Sequence, residues 1–214
     1  MPADPSSPPP VVAIVDYGLG NLRSIQRKLR RFSVDAQIAS NAEEILAADR
    51  LIFPGVGHFA AGMDNLNRSG LRPALEEKVL RANTPVLGIC LGMQLFAKSS
   101  EEGDAEGLGW IDGHVVKFRS EWMAIPRRVP HVGWNESRPL RPSPLFDGVP
   151  GDQRFYFTHS YRMECSDPGD ELARTVYGSE FTSAVQRGNI CGVQFHPEKS
   201  HTEGLRVLLN FVRG

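Results

Sequence analysis

From Val11 to Cys90 the chain alternates short apolar runs with amphipathic stretches. "VVAIVDYG" is a continuous, β-branched run of the kind that a strand buried on both faces requires. "NLRSIQRKLRRF" follows after two residues, with Asn21 at an N-cap position and Leu22, Ile25, Leu29 and Phe32 at helical spacing. The pair then repeats: "VDAQIA" reads as a strand, "NAEEILAA" as a helix, "RLIFPG" as a strand, and a helical region reaches Arg81 before the strand "TPVLGIC". Such alternation implies parallel strands joined by crossover helices. A doubly wound, mainly parallel α/β sheet flanked by helices is the expected frame.

The second half changes character. "GHVVKF", "RRVPHVGWNES", "RFYFTHSYRM", "ARTVYG", "FTSAVQRG" and "ICGVQFHPE" read as short strands separated by Gly, Pro and Asp turns. They predict an additional antiparallel or mixed β layer on the parallel core. "TEGLRVLLNFVRG" closes the chain as a helix with Leu205, Leu208, Leu209 and Val212 on one face. The opening "MPADPSSPPP" has neither the basic start nor the apolar segment of a signal peptide. Residues 1–10 are thus expected to be a disordered Pro/Ser-rich tail, and residues 11–214 a single domain without internal repeats.

Composition excludes several functions. With 24 Lys and Arg against 25 Asp and Glu the formal net charge is -1, so the field that binds nucleic-acid backbones is missing. The cluster Arg27-Lys28-Leu29-Arg30-Arg31 reads as the solvated face of a helix. No segment is long and apolar enough to span a bilayer, so no membrane partner is expected. Cys90, Cys165 and Cys191 are odd in number and show no C-x-x-C spacing, which points away from disulfides and zinc ribbons and toward the reducing cytoplasm. The sequons at Asn67 and Asn135 are then chance matches.

Ligands of α/β sheets bind beyond the carboxyl ends of the strands, and Cys90 ends one. Gly88-Ile89-Cys90-Leu91-Gly92 has the G-x-nucleophile-x-G form of a nucleophile elbow, in which glycines make room for a tight strand-to-helix turn. A helix N-terminus there favours a thiolate. A plain core cysteine is the competing reading, and glycine neighbours argue against it. "GVQFHPEKS" offers a base: His196, with Glu198 two residues on, where extended chain would bring both side chains to one side. "FPGVGHF" follows another strand, so Gly55 and Gly57 would open main-chain N–H groups toward a ligand at the same edge. Each motif alone has a bland reading, as a surface turn or a Pro-Gly turn. Together they describe acyl transfer by a cysteine, with no metal and no cofactor.

With these residues in view, "GICLGMQLF" and "GVQFHPEKS" resemble the class I, triad-type glutamine amidotransferases. "DYGLGNLRS", "FPGVGHF", "HVGWN" and "FYFTHSYR" resemble the branch that serves as glutaminase subunit of imidazole glycerol phosphate synthase, in histidine biosynthesis. The resemblance runs from Asp16 to Ser200. It implies hydrolysis of L-glutamine to glutamate and ammonia, with Cys90 as nucleophile, His196 as base and Glu198 as its orienter. It also implies an oxyanion site at Gly55, Val56, Gly57 and Leu91, and substrate contacts by Gln94, His159, Ser160 and Tyr161. The implied partner is a (β/α)₈ cyclase subunit that receives ammonia through an internal channel, with Asn21, Tyr156 and Lys199 at interface or gating positions. Val132 stands where many members have Met. The Gly55–Gly57 loop is expected to keep the oxyanion site unformed until the cyclase binds its own substrate.

Two other readings stay within the fold: the glutaminase of pyridoxal phosphate synthesis, or a stand-alone γ-glutamyl hydrolase. Outside it, Gly18-x-Gly20 hints at a dinucleotide-binding module, but Arg23 occupies the position of the third glycine. A catalytically silent interaction subunit is disfavoured because no triad position is substituted. A metal site of Cys90, His196 and Glu198 explains the glycines less well than the elbow does.

Overall fold

Val12–Val15 (β1) is buried at all four positions, and its side chains divide between two hydrophobic clusters, Ala13 and Val15 on one face and Val12 and Ile14 on the other. That division is what a strand covered by helices on both sides produces. The computed structural model describes residues 9–214. Pro9 and Pro10 are exposed coil, and the rest of the expected tail lies outside the described residues.

After β1 come α1 (Leu22–Arg30), β2 (Ala36–Ala39), α2 (Ala42–Ala47), β3 (Arg50–Gly55), α3 (Phe59–Ser69), α4 (Arg72–Glu76) running into a π-helical turn, β4 (Val86–Cys90) and α5 (Leu91–Gln94). Strands β2, β1, β3 and β4 lie side by side and parallel. Ile45, Leu66 and Leu75 of α2, α3 and α4 pack on the face of Ala13, whereas Ile25 and Leu29 of α1 pack on the face of Ile14. Asn41 begins α2 as a cap: its side chain accepts the Glu44 N–H at 3.0 Å while Glu44 Oε2 accepts the Ser40 N–H at 2.7 Å. Asn21 occupies the N-cap position of α1 but makes no capping bond. Phe32 falls beyond that helix and is exposed.

The second half supplies β5 (Ser99–Ser100), β6 (Ala105–Glu106), β7 (Gly113–Lys117), β8 (His131–Glu136), β9 (Arg138–Pro139), β10 (Arg154–His159), β11 (Tyr161–Cys165), β12 (Glu171–Tyr177), β13 (Ser179–Arg187), β14 (Ile190–Val193) and α6 (His201–Arg213). Strand β14 returns to the core and adds parallel to β4, then β13 pairs antiparallel with β14. The antiparallel strands thus extend the parallel sheet edge to edge, giving one mixed sheet of 12 strands, while β8 and β10 form a separate two-stranded ribbon. "RFYFTHSYRM", read as one strand, breaks at Ser160, where the chain leaves the ribbon and joins the large sheet beside β7. In α6 the buried face is Val207, Leu208, Phe211 and Val212, so Leu205 and Leu209 sit at its margin. Among the described residues no helix is long and apolar enough to cross a membrane.

Candidate active site

Strand β4 ends in a forced turn. Cys90 has φ 54° and ψ −112°, a backbone region that non-glycine residues adopt at a cost of about 1–3 kcal/mol. The flanking glycines permit it. A Cβ on Gly88 would lie 2.7 Å from the Met93 backbone nitrogen, and one on Gly92 would collide with the Phe53 carbonyl. The turn opens a helix of four residues, Leu91–Gln94. Cys90, at its head, lines a cavity of about 340 Å³ together with Val56, Gly57, Leu91, Gln94 and His196. Thr158, His159, Ser160 and Tyr161, together with Pro130 and Glu102, complete the lining.

His196 follows β14, next to β4, which is why a residue so distant in sequence reaches Cys90. Its N–H donates to Tyr156 O at 2.9 Å, and Ser200 Oγ clasps the same segment by donating to His196 O (2.6 Å) and accepting from the Tyr156 N–H (2.9 Å). His196 Nδ1 lies 2.9 Å from Glu198 Oε1, with both side chains almost fully enclosed. The contact arises from a 3₁₀ turn over Pro197–Lys199 and not from the extended chain expected. Burial alone would depress the imidazole, but hydrogen bonding and charge from Cys90 and Glu198 outweigh it and raise its pKa to about 10. Among the described residues His196 Nε2 has no hydrogen-bond partner within the normal limit.

The oxyanion candidates divide. Val56 and Gly57 line the cavity, Gly57 with φ +110°, and among the described residues their N–H groups bond to no other main-chain group. Leu91, the first residue of α5, lines it as well, and a first-turn N–H has no partner within its helix. Gly55 is instead a buried strand residue paired with Cys90, where a Cβ would run into Leu91, Gly92 and the Tyr17 hydroxyl. Gln94 Nε2 donates to Tyr161 O (3.0 Å) and Gln194 Oε1 (2.9 Å), which uses both hydrogens and leaves its own Oε1 as an acceptor. Tyr156 and Lys199 sit together outside the triad, Nζ 5.5 Å from the ring centre, and the Tyr156 ring lies 6.5 Å from that of His196. Asn21 does not line the cavity, but its helix packs against the Pro197–Lys199 turn.

The family profile described as "Glutamine amidotransferase class-I" matches residues 13–213. The chain belongs to the class-I glutamine amidotransferases. It is 46% identical to the imidazole glycerol phosphate synthase subunit HisH of Bdellovibrio bacteriovorus, over 94% of this chain and 98% of that protein. It is 46% identical to the subunit HisH 2 of Methanococcus maripaludis, over 95% and 99%. Among solved structures, one described as a glutamine amidotransferase superposes with a TM-score of 0.72 at 21% identity, over 94% of this chain and 97% of that one. That likeness is one of fold.

Three residues of this amidotransferase site carry no sequence signal strong enough to single them out. Glu102 reaches the cavity from a turn, where one oxygen accepts the Phe59 N–H at 2.8 Å. Gln194 donates to Cys90 Sγ at 3.7 Å. Tyr17, stacked on Phe53 at 4.9 Å, buries its hydroxyl without a partner beside Gly55, and burial together with the Cys90 charge keeps that phenol protonated. The other cysteines are no rivals to Cys90: burial first, then nearby carboxylates, push Cys165 up to about 12, and burial pushes Cys191 up to about 11.

Proposed function

We propose that this chain is the glutaminase subunit of an imidazole glycerol phosphate synthase, working in the cytoplasm with a (β/α)₈ cyclase subunit that takes up the ammonia it releases. Cys90 and His196 lining one cavity, with Glu198 bonded to the far nitrogen of His196, carry the glutaminase reading. The near full-length likeness to HisH subunits at about 45% identity supports the assembly. Cys90 as thiolate attacks the carboxamide carbon of glutamine, forming a C–S bond while the carbonyl electrons move onto oxygen. The N–H groups of Leu91 and of the Val56–Gly57 loop receive that oxyanion. Collapse breaks the C–N bond, and His196 gives its proton to nitrogen, so ammonia leaves and a thioester remains. His196 then takes a proton from water, hydroxide adds to the thioester, and glutamate departs as the Cys90 thiolate returns. Glu198 holds the imidazole by Nδ1 throughout.

Glutamine fits with its side-chain amide at Cys90 and its α-carbon toward the far wall. Gln94 Oε1 and the Glu102 carboxylate are acceptors for the α-ammonium, and the main chain of His159, Ser160 and Tyr161 receives the carboxylate. Ammonia would leave past Tyr156 and Lys199 toward the cyclase, whose docking would cover the exposed Val132 and Trp134, the latter 6.1 Å from Tyr156 between ring centres. Glutamine hydrolysis by the chain alone is expected to be slow and to rise strongly when cyclase and its nucleotide substrate are added, because the Val56–Gly57 loop is set only in the complex. Full turnover by the isolated chain points instead to a stand-alone hydrolase. Activation by a pyridoxal phosphate synthase subunit points to that pathway.

A further inference from the structure

Behind the Ser160 wall lies a buried polar chain that the triad does not use. His131 on β8 and His159 on β10 are cross-strand partners, with His131 Nδ1 3.0 Å from His159 Nε2. The ends of the chain fix every proton. His159 Nδ1 lies 2.7 Å from Tyr161 O, which only accepts, so Nδ1 carries hydrogen and Nε2 of the neutral ring is bare. His131 Nδ1 therefore donates to it, and His131 Nε2 is left to accept from Asn135 Nδ2 at 3.4 Å. The Asn135 amide is oriented independently, since Nδ2 donates to Val176 O (2.8 Å) and Oδ1 accepts the Glu136 N–H (2.9 Å). Donation runs one way, from Asn135 through His131 and His159 to Tyr161 O.

Both imidazoles stay uncharged near neutrality, because burial lowers His131 to about 4 and His159 to about 3. His131 stacks on Tyr177 at 4.0 Å and Phe157 at 4.8 Å, a setting in which a phenylalanine would pack equally well. A polar chain inside an aromatic cluster costs desolvation unless each group is paired, and here each is. The chain ends at the carbonyl that Gln94 also holds, one residue after Ser160, whose own oxygen accepts the Phe118 N–H at 2.9 Å. Trans-peptide geometry then turns the Tyr161 N–H away from Phe118.

We propose that His131 is a positioning residue for glutamine: acting through His159, it fixes the Ser160–Tyr161 turn in the orientation that receives the substrate's α-carboxylate. The proposal rests on the reading of that turn as the carboxylate site. Two substitutions separate hydrogen bonding from packing. His131→Phe keeps the stacked ring and removes the donor. His131→Asn keeps an N–H near the place of Nδ1 and gives up the stack. The readout is steady-state hydrolysis of glutamine, and of its α-amide, by the complex with cyclase. His131→Phe is expected to raise KM for glutamine roughly 10-fold with kcat within about 3-fold, to narrow the preference for glutamine over the α-amide, and to leave ammonia-dependent synthesis intact. His131→Asn is expected to recover most of the KM. An unchanged KM in His131→Phe, or an equal loss in both variants, overturns the role of His131. A wild-type enzyme indifferent to the α-carboxylate overturns the carboxylate wall itself.

Discussion

The two halves of the sheet are built under different rules. In the parallel half, β1, β3 and β4 send side chains alternately into two hydrophobic clusters, and the polarity stays at the strand ends. In the antiparallel half, and in the β8–β10 ribbon, polar side chains enter the apolar interior: Thr175, Thr182 and Ser183 are buried on β12 and β13, as are His131 and His159 of the ribbon and Ser137 after it, and Ser137 Oγ and Ser183 Oγ lie 2.8 Å apart. The first arrangement gives a rigid frame that can hold Cys90 in a costly conformation. The second gives oriented main chain and side chains that can recognise a charged amino acid. On the proposed function, bond making falls to the parallel half and recognition to the antiparallel strands and the ribbon, with β14 as the seam that brings His196 to Cys90.

That division predicts different kinetic failures in the two halves. Cys90→Ala should lower glutamine-dependent synthesis by roughly 10⁴-fold or more, as removal of a nucleophile does, and leave ammonia-dependent synthesis by the complex intact. Loss of both activities would mean that Cys90 supports the assembly and not the chemistry. Glu198→Gln keeps an acceptor near His196 Nδ1 but removes the charge, so kcat should fall roughly 10²-fold with KM little changed. Measuring both activities in one preparation separates these cases.

Legibility in the sequence followed the same boundary. β1, β3 and β4 were readable because burial on both faces writes nearly continuous apolar runs, and "RLIFPG" coincides with β3. The two-residue strands β5, β6 and β9 are too short to write a period, and nothing in "RFYFTHSYRM" marks the change of sheet at Ser160, since tertiary pairing decides it. In the site, Cys90, His196 and Glu198 stood out because glycine or proline punctuates each segment. Glu102 and Gln194 did not, because an acid in a turn or an amide after a strand has no pattern of its own.

Gln94 bridges the halves, standing on α5 and bonding to Tyr161 O, so its loss should show on the recognition side. Gln94→Leu is expected to raise KM for glutamine roughly 10-fold while kcat changes by less than about 3-fold, read from steady-state glutaminase assays of the complex. A fall in kcat alone would place Gln94 with the bond-making group and blur the boundary.

The smallest effect tests the seam itself. In the folded chain His196 holds its proton to about pH 10, against an ordinary value of 6.5, even though burial opposes it. A histidine raised in this way stabilises the native state fully below about pH 6.5, and the contribution is lost as pH rises through about 10. Replacing Cys90 by alanine removes the sulfur's hydrogen bonding and charge but leaves the burial, so the pKa must move down. A ¹⁵N NMR titration of the ring in wild type and Cys90→Ala reads that shift directly. The loss of stability with rising pH, which starts near pH 6.5 in both proteins, should be smaller in the variant and complete at lower pH. An unmoved titration would mean that Glu198, on the same turn as His196, holds the proton unaided. The parallel half would then contribute a nucleophile to the site but no share in setting the charge of its base.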